Sequence, residues 1–459
     1  MIKGNIKLLP LIAMIIVSID NIRNLPSVAI YGGQIIQLYT LVGLCFFVPC
    51  GLVTMTYAMT YSKQEGGIYL WISEAFGKKF GFFAIWLQWV ENVVWFPSIV
   101  AFIAEAFAHI FYTSLDAYGL TSMVIIIFWA STWVNLRGIE LTAKLSLYCT
   151  VLGLIVPLVC LIMFTYYWEA SGYSYYNKEV FIHMFEWHPI SQLDFSVIGI
   201  MCLSLAGLEI TAVHVPNIKN PQRNYTIAML LAMLVIIISL IVGSFSILAL
   251  VPIEKIDFIN SIFFIFSESL TKFGYGKFEP IFALLILLGS FGGLINWIIA
   301  PIRGLMVTAK DGFLPKQFLH ENQHEMPTYM LYIQAIIVTI LSFLFIIFDS
   351  TNKSYWVLTI IPAGLYLLMY LLLFLAFIKL SISNQIYQFK SYLLNKLIFL
   401  AGIIGFIFSI FALFAVLMPP ARIFGNEIVI YALSVIMCII SFSLPAMYCI
   451  YYHERRSKS

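Results

Sequence analysis

The sequence predicts an all-α integral membrane protein with twelve transmembrane helices, and three observations carry that prediction. First, 62% of the 459 residues are hydrophobic, 16% aromatic and only 10% charged, against about 45–50% apolar and about 25% charged in soluble domains. A soluble chain this apolar has too few polar groups to cover its surface. The composition therefore excludes a soluble enzyme, a disordered chain and a nucleic-acid binder. Second, the apolar runs are continuous, as at 124–130 and 228–238, where a β-barrel would alternate over segments of about ten residues. Third, a helix needs about 20 apolar residues to cross about 30 Å of hydrocarbon, and the chain has room for roughly a dozen.

In order, the predicted spans are 8–37, 38–61, 80–111, 120–136, 143–167, 195–215, 226–251, 278–308, 330–348, 355–380, 397–418 and 427–452, read from their apolar runs. Span 1 follows Lys3 and Lys7 and superficially looks like a signal peptide. No small-residue cleavage site follows it, so it is read as a retained span. It is interrupted: LLPLIAMIIVS, then Ile19-Asp20-Asn21-Ile22-Arg23-Asn24, then LPSVAIYGGQII. Pro26 suits the first turn of a restarting helix, where its missing N–H costs nothing. Span 6 has a comparable interruption, FSVIGIMCLSL, then Ala206-Gly207-Leu208-Glu209, then ITAVHV; Gly207 can take the backbone angles of a break. In span 8, Gly289 and Gly293 stand at i,i+4 and offer a close-packing face. The seven Cys lie in or beside apolar runs without zinc-type spacing and read as small buried hydrophobes. The longest polar stretches, 168–194, 252–277 and 310–328, are too short for a separate soluble domain.

Of the 25 Lys and Arg, Lys178, Lys255, Lys272, Lys277, Lys353 and Arg422 fall on one side, Arg23 lies within a span, and eighteen fall on the other. Positive loops stay cytoplasmic. The expected protein is multi-pass in the plasma or inner membrane, with an even number of spans and both termini cytoplasmic. The basic tail HERRSKS suits anchoring to anionic lipid.

Charges at mid-membrane cost at least about 2.5–3.5 kcal/mol on insertion scales, so each needs a reason. Asp20 and Arg23 in span 1, Glu91 in span 3 and Glu209 in span 6 are expected in the bundle interior, whereas Glu105, near the outer end of span 3, is within reach of water. The two interruptions stand roughly 185 residues apart, each opening a five-span set, which points to an inverted-repeat transporter with its site between the breaks. Half-helix N-termini attract a carboxylate and free carbonyls an ammonium, which suits a zwitterion. The alternative is a kinked bundle with a buried Asp20–Arg23 pair.

Four stretches extend the reading: RNLPSVAIYG (23–32), EGGIYLWISEAFG (65–77), GLEITAVHVPNIKNPQRN (207–224) and APIRGLMVTAKDGFLP (300–315). With these the chain resembles the amino acid–polyamine–organocation superfamily. FVPCGL (47–52), EGGIYLW and WLQWVENVVWFP (86–97) most resemble its glutamate/GABA-antiporter group. The resemblance implies a LeuT-like 5+5 inverted repeat plus two extra helices, divided at 1–190, 191–385 and 386–459. It implies transport of amino acids against a counter-substrate, without a cofactor.

By the same resemblance, Ile19, Asp20, Asn21, Ile22 and Arg23 would face the substrate, with Asp20 where relatives often have a small residue. Ser204, Ala206, Gly207 and Leu208 would form the opposing break, and Glu209 matches a recurrent Glu. Asn92 matches a polar site position, with Glu91 beside it. Trp297 stands near an aromatic gate position. Tyr366 and Tyr370, at i,i+4 in span 10, stand where relatives place aromatics, or form a packing stripe. Asp20, Glu91 and Glu209 are the coupling or proton candidates. The mid-span 5 Lys of some proton-coupled relatives is absent around Gly153. The plug that closes the cytoplasmic mouth of the glutamate/GABA antiporter is not expected from seven residues after span 12. An Arg23 free to face the site favours an acidic substrate; one neutralised by Asp20 suits a neutral one. Proton symport, or carriage of another small amine, is the alternative.

A different class is raised by His320-Glu321-Asn322-Gln323-His324, literally HExxH, which on a helix would bind zinc with Glu as general base. It lies in a polar loop between Pro315 and Pro327 without a convincing third ligand, Asp311 sitting close to a turn. His109, His183, His188, His214 and His453 fall at span ends or in loops. No GxxxxGK[ST] occurs, so energy must come from a solute or ion gradient. Oligomeric state is not readable.

Overall fold

The computed structural model describes residues 7–64, 66–111, 113–138, 148–149, 151–172, 187–189, 193–252, 255–257, 260–348, 351–419 and 428–458. Lys3, Glu65, Lys144, Lys178, His183, Arg422 and the side chain of His214 lie outside the described residues, as do the start of the span expected at 143–167 and most of 168–194.

Twelve helices are long and apolar enough to cross a membrane. They are Leu8–Ala29, Gly32–Thr60, Lys78–Ile110, Ala117–Leu136, Val151–Ala170 and Phe195–Ala212, then Pro221–Leu250, Gly276–Lys310, Thr328–Ile347, Lys353–Ile382, Tyr392–Val416 and Ile428–Arg455, numbered spans 1 to 12 here. The fold is all-helical with twelve spans; among the described residues the only extended pairing is a bridge between Glu321 and Pro327. Burial sorts the spans. Spans 6, 10 and 3 are 89, 78 and 72% buried over their apolar windows and form the centre, whereas span 12, at 22%, keeps most of its apolar surface for lipid.

Both predicted interruptions are present. The first half-helix of span 1, Leu8–Ile19, ends with the Asp20 N–H still bonded to the Ile16 carbonyl. The backbone is then extended at Asp20 and Asn21, and the Asn21 side chain accepts from the Arg23 N–H to start a short turn, Ile22–Asn24. This is an N-cap, which spares one of the free donors of a helix start, and Leu25–Ala29 continues from it with Pro26 in its first turn. In span 6, Ile198–Ser204 stops, Gly207 takes φ +111°, and a 3₁₀ segment, Leu208–Asn217, follows. Gly can adopt that angle without the strain a Cβ brings.

Three boundaries differ from expectation. Span 1 ends at Ala29 rather than 37, because Gly32 turns the chain at φ +55° into span 2. A short helix, Ile68–Phe76, precedes span 3 and packs so closely on Gly81 that a Cβ there would overlap Ser73 and the Tyr69 carbonyl. The polar stretch 252–277 contains a further helix, Ser261–Lys272, which buries Ile262, Phe263, Ile265, Phe266 and Leu270.

Candidate functional site

Between the two breaks lies a cavity. Spans 1, 3, 6, 8 and 10 build it, each from a short arc of side chains. The structure brings Ile19, Asn21, Arg23, Glu91, Asn92, Ser204, Ala206, Trp297 and Tyr366 to its wall. Asp20, Ile22, Gly207, Leu208, Glu209 and Tyr370 do not line it.

The alternative of a buried Asp20–Arg23 pair is not what forms. Three residues apart on a continuous helix, the two would share a face; the extended backbone at Asp20 and Asn21 turns them apart. Asp20 meets Ser239 of span 7. Arg23 turns to span 3, where Nη1 donates to Ser98 Oγ at 3.1 Å, and its guanidinium stands 5.0 Å from the Trp95 ring centre and 5.6 Å from that of Tyr355. Both are cation–π distances. Ser98 in turn donates to the Trp95 carbonyl at 2.8 Å, which fixes the contact. Arg23 Nε is buried with no hydrogen-bond partner.

Glu91 and Asn92 supply the opposite polarity. Asn92 Nδ2 donates to the Gln88 carbonyl at 2.7 Å and to Glu91 Oε1 at 2.5 Å, while its Oδ1 is a buried acceptor without a partner. A buried polar group left unpaired costs about 1–3 kcal/mol. The wall thus offers an unused donor at Arg23 and an unused acceptor at Asn92, beside a carboxylate.

Glu209 lies behind the wall. Its carboxylate accepts from Tyr366, from Tyr370 at 2.6 Å and from Gln88 Nε2 at 3.0 Å, and the Tyr370 hydroxyl also accepts from the Gly207 N–H at 3.0 Å. Span 6 is thereby tied to spans 3 and 10 at its break. Trp297 makes the corresponding tie for span 1, its Nε1 donating to the Ser18 carbonyl at 2.7 Å, an otherwise free end of the first half-helix. Its ring also crosses Tyr366 at 6.3 Å and 78°.

Sequence reading missed Trp95, Ser98 and Tyr355. A signal was present: Gln88, Glu91 or Asn92, Trp95 and Ser98 recur at helical spacing, as do Tyr355, Thr359, Tyr366 and Tyr370.

The HExxH stretch is not helical. The short helix before it ends at Leu319, the Asn322 N–H bonds back to the Met326 carbonyl, and His320 Nδ1 meets Thr328 Oγ1 at 2.8 Å. Asp311 is held instead by Tyr69 and by Lys78 at 2.7 Å. Among the described residues no group of three His, Cys, Asp or Glu is placed to hold a metal. The zinc reading is withdrawn.

Comparison with known proteins fixes the class, since the amino acid permease family model matches residues 6–442. The chain belongs to the amino acid permease family. It is 33% identical over 433 residues to an uncharacterised transporter of Legionella pneumophila, covering 92% of this chain and 91% of the other. It is 31% identical to a glutamate/gamma-aminobutyrate antiporter of Lactococcus lactis, covering 91% of this chain and 84% of the relative. A putrescine transporter of Haemophilus influenzae is 26% identical over 80% of each chain. The permease is therefore a multi-pass membrane transporter of the amino acid–polyamine–organocation superfamily with small-molecule substrates, and not an enzyme.

Proposed function

We propose that this permease exchanges amino acids by alternating access and takes an acidic amino acid of the glutamate type into the cavity between the breaks. The observation that carries the reading is Arg23: it lines the cavity with Nε unpaired, while Asp20, which would neutralise it, faces Ser239. A charge-assisted bond from the guanidinium suits a substrate carboxylate. The substrate ammonium pairs with Asn92 Oδ1 and Glu91, and Trp297 and Tyr366 cover it. The relatives that exchange glutamate for gamma-aminobutyrate support the same substrate type. A diamine would bring a second ammonium towards Arg23, which argues against it.

In this reading residues 1–190 and 191–385 are the two inverted repeats, 386–459 holds the last two spans, and both termini are cytoplasmic by the lysine and arginine bias. The test is counterflow in proteoliposomes preloaded with single amino acids. Labelled glutamate accumulating against internal glutamate or gamma-aminobutyrate is the expected result. Uptake blocked by alanine but not by glutamate would overturn the acidic-substrate reading.

A further inference from the structure

Asp20 plays no part in the cavity, yet it sits at the break itself, 4% exposed, at the end of the first half-helix of span 1. Its surroundings differ from those of Glu209, whose carboxylate takes three donors. The side chain that meets Asp20 is Ser239, which contacts Oδ2 through Oγ. That hydroxyl also stands 2.9 Å from the Ile236 carbonyl of its own helix. A serine hydroxyl has one hydrogen and can accept as well as donate, and a carbonyl can only accept. If Ser239 donates to Ile236, the contact with Asp20 is completed by a hydrogen on the carboxyl oxygen. If Ser239 donates to Asp20 instead, a buried carboxylate is left with one neutral donor and no counter-charge, which burial disfavours.

Nothing else around it supplies the missing charge. From span 2, the Tyr39 phenol is within electrostatic reach, and it is bonded to Ser244 of span 7 at 3.2 Å. Two residues earlier in the chain, the Ser18 carbonyl accepts from Trp297 of span 8 and stands near Gly207 of span 6, and neither of these carries a charge. Arg23 is turned to Ser98. Among the described residues no cation pairs with Asp20.

We infer that Asp20 and Ser239 form a proton-binding site on the span 7 side of the span 1 break, separate from the substrate cavity. A proton from water binds Asp20 Oδ2, and the resulting O–H donates to Ser239 Oγ while Ser239 donates to the Ile236 carbonyl. Every donor then has an acceptor. Separation of span 1 from span 7 during the transport cycle opens the pair to water and returns the proton there. The site rests on this hydrogen-bond arrangement alone; its link to flux rests on the transport reading above.

The test is infrared spectroscopy of the full chain in lipid. The wild type at neutral pH is expected to show the carbonyl stretch of a protonated carboxylic acid that Asp20→Asn lacks. Ser239→Ala is expected to keep that band but shift it to higher frequency, because its acceptor is gone. An identical band in wild type and Asp20→Asn would overturn the inference. Should Asp20→Asn fail to fold, an unshifted band in Ser239→Ala would do the same. In vesicles holding a pH dye, amino acid flux that carries protons in the wild type, but fewer per amino acid in Ser239→Ala, supports coupling through this site; an equal ratio in both overturns coupling there. Absence of any amino acid flux in the wild type would instead remove the substrate reading, and the infrared result would still decide the site.

Discussion

A methyl group added at Gly207 would stand 2.7 and 2.9 Å from two indole carbons of Trp297, on a residue whose φ of +111° already disfavours a side chain. Gly207→Ala is expected to lower stability by about 1–3 kcal/mol, read as a fall in thermal midpoint, and to slow exchange by displacing Trp297 from Ser18. Arg23→Gln keeps much of the length of the side chain and removes its charge. It is expected to weaken glutamate by roughly tenfold to a hundredfold, the worth of a charged hydrogen bond of about 1.5–3 kcal/mol, while neutral amino acids change little; competition in counterflow measures both. Both positions were conspicuous in the sequence, one as a glycine within an apolar run and one as a charge within a span. The direction of Arg23 was not. It depends on two extended residues, Asp20 and Asn21, and helical spacing says nothing about side-chain direction once the helix is broken.

Among the elements, spans 5 and 8 cross where Gly153 meets Gly289, so closely that a Cβ on either would overlap the backbone of the other. Close approach of small residues is how helices pack without a hydrophobic drive between them. The sequence showed Gly289 and Gly293 as a pair but not their partners. Gly153 lies in a π-turn, Val151–Ile155, that no apolar periodicity announces. Gly293 faces the Val17 carbonyl, and a Cβ there would sit at an ordinary 3.5 Å. Gly289→Ala is therefore expected to cost about 1–3 kcal/mol through overpacking, and Gly293→Ala much less, which thermal unfolding in detergent compares directly. The helix Ser261–Lys272 escaped notice because it is amphipathic and short, with Glu268 and Lys272 pairing at 3.4 Å on its open side. Hydropathy finds spans and passes over such helices.

In the whole molecule, one end of the bundle is drawn together by charges. Lys78 at the start of span 3 reaches Asp311 after span 8, Lys79 pairs with Glu454 at the end of span 12, and His453 donates to the Asp311 carbonyl at 3.2 Å while stacking on Phe313. Burial alone would raise the Asp311 carboxyl. The hydrogen bonds from Lys78 and Tyr69 and the Lys78 charge outweigh it and hold the group below its ordinary 3.8. A carboxyl depressed on folding stabilises the fold above its unfolded value and loses that contribution as pH falls through the folded one. The thermal midpoint is thus expected to decline below about pH 4, and Asp311→Asn to flatten that decline. The effect at neutral pH is at most about 1 kcal/mol, since the pair is open to water and screened. Span number was legible because it is a sum over many residues; this cluster was not, because it joins positions far apart in the chain. A last consequence concerns the cavity, where Arg23 and Glu91 share a wall without forming an ion pair. A carrier that closes empty leaves the buried Arg23 Nε and Asn92 Oδ1 unpaired, at about 1–3 kcal/mol each, whereas a bound zwitterion on the proposed reading pairs both. On the proposed exchange reading the empty return stroke is then the slower one, and one-for-one swapping follows as kinetic rectification by two unpaired polar atoms.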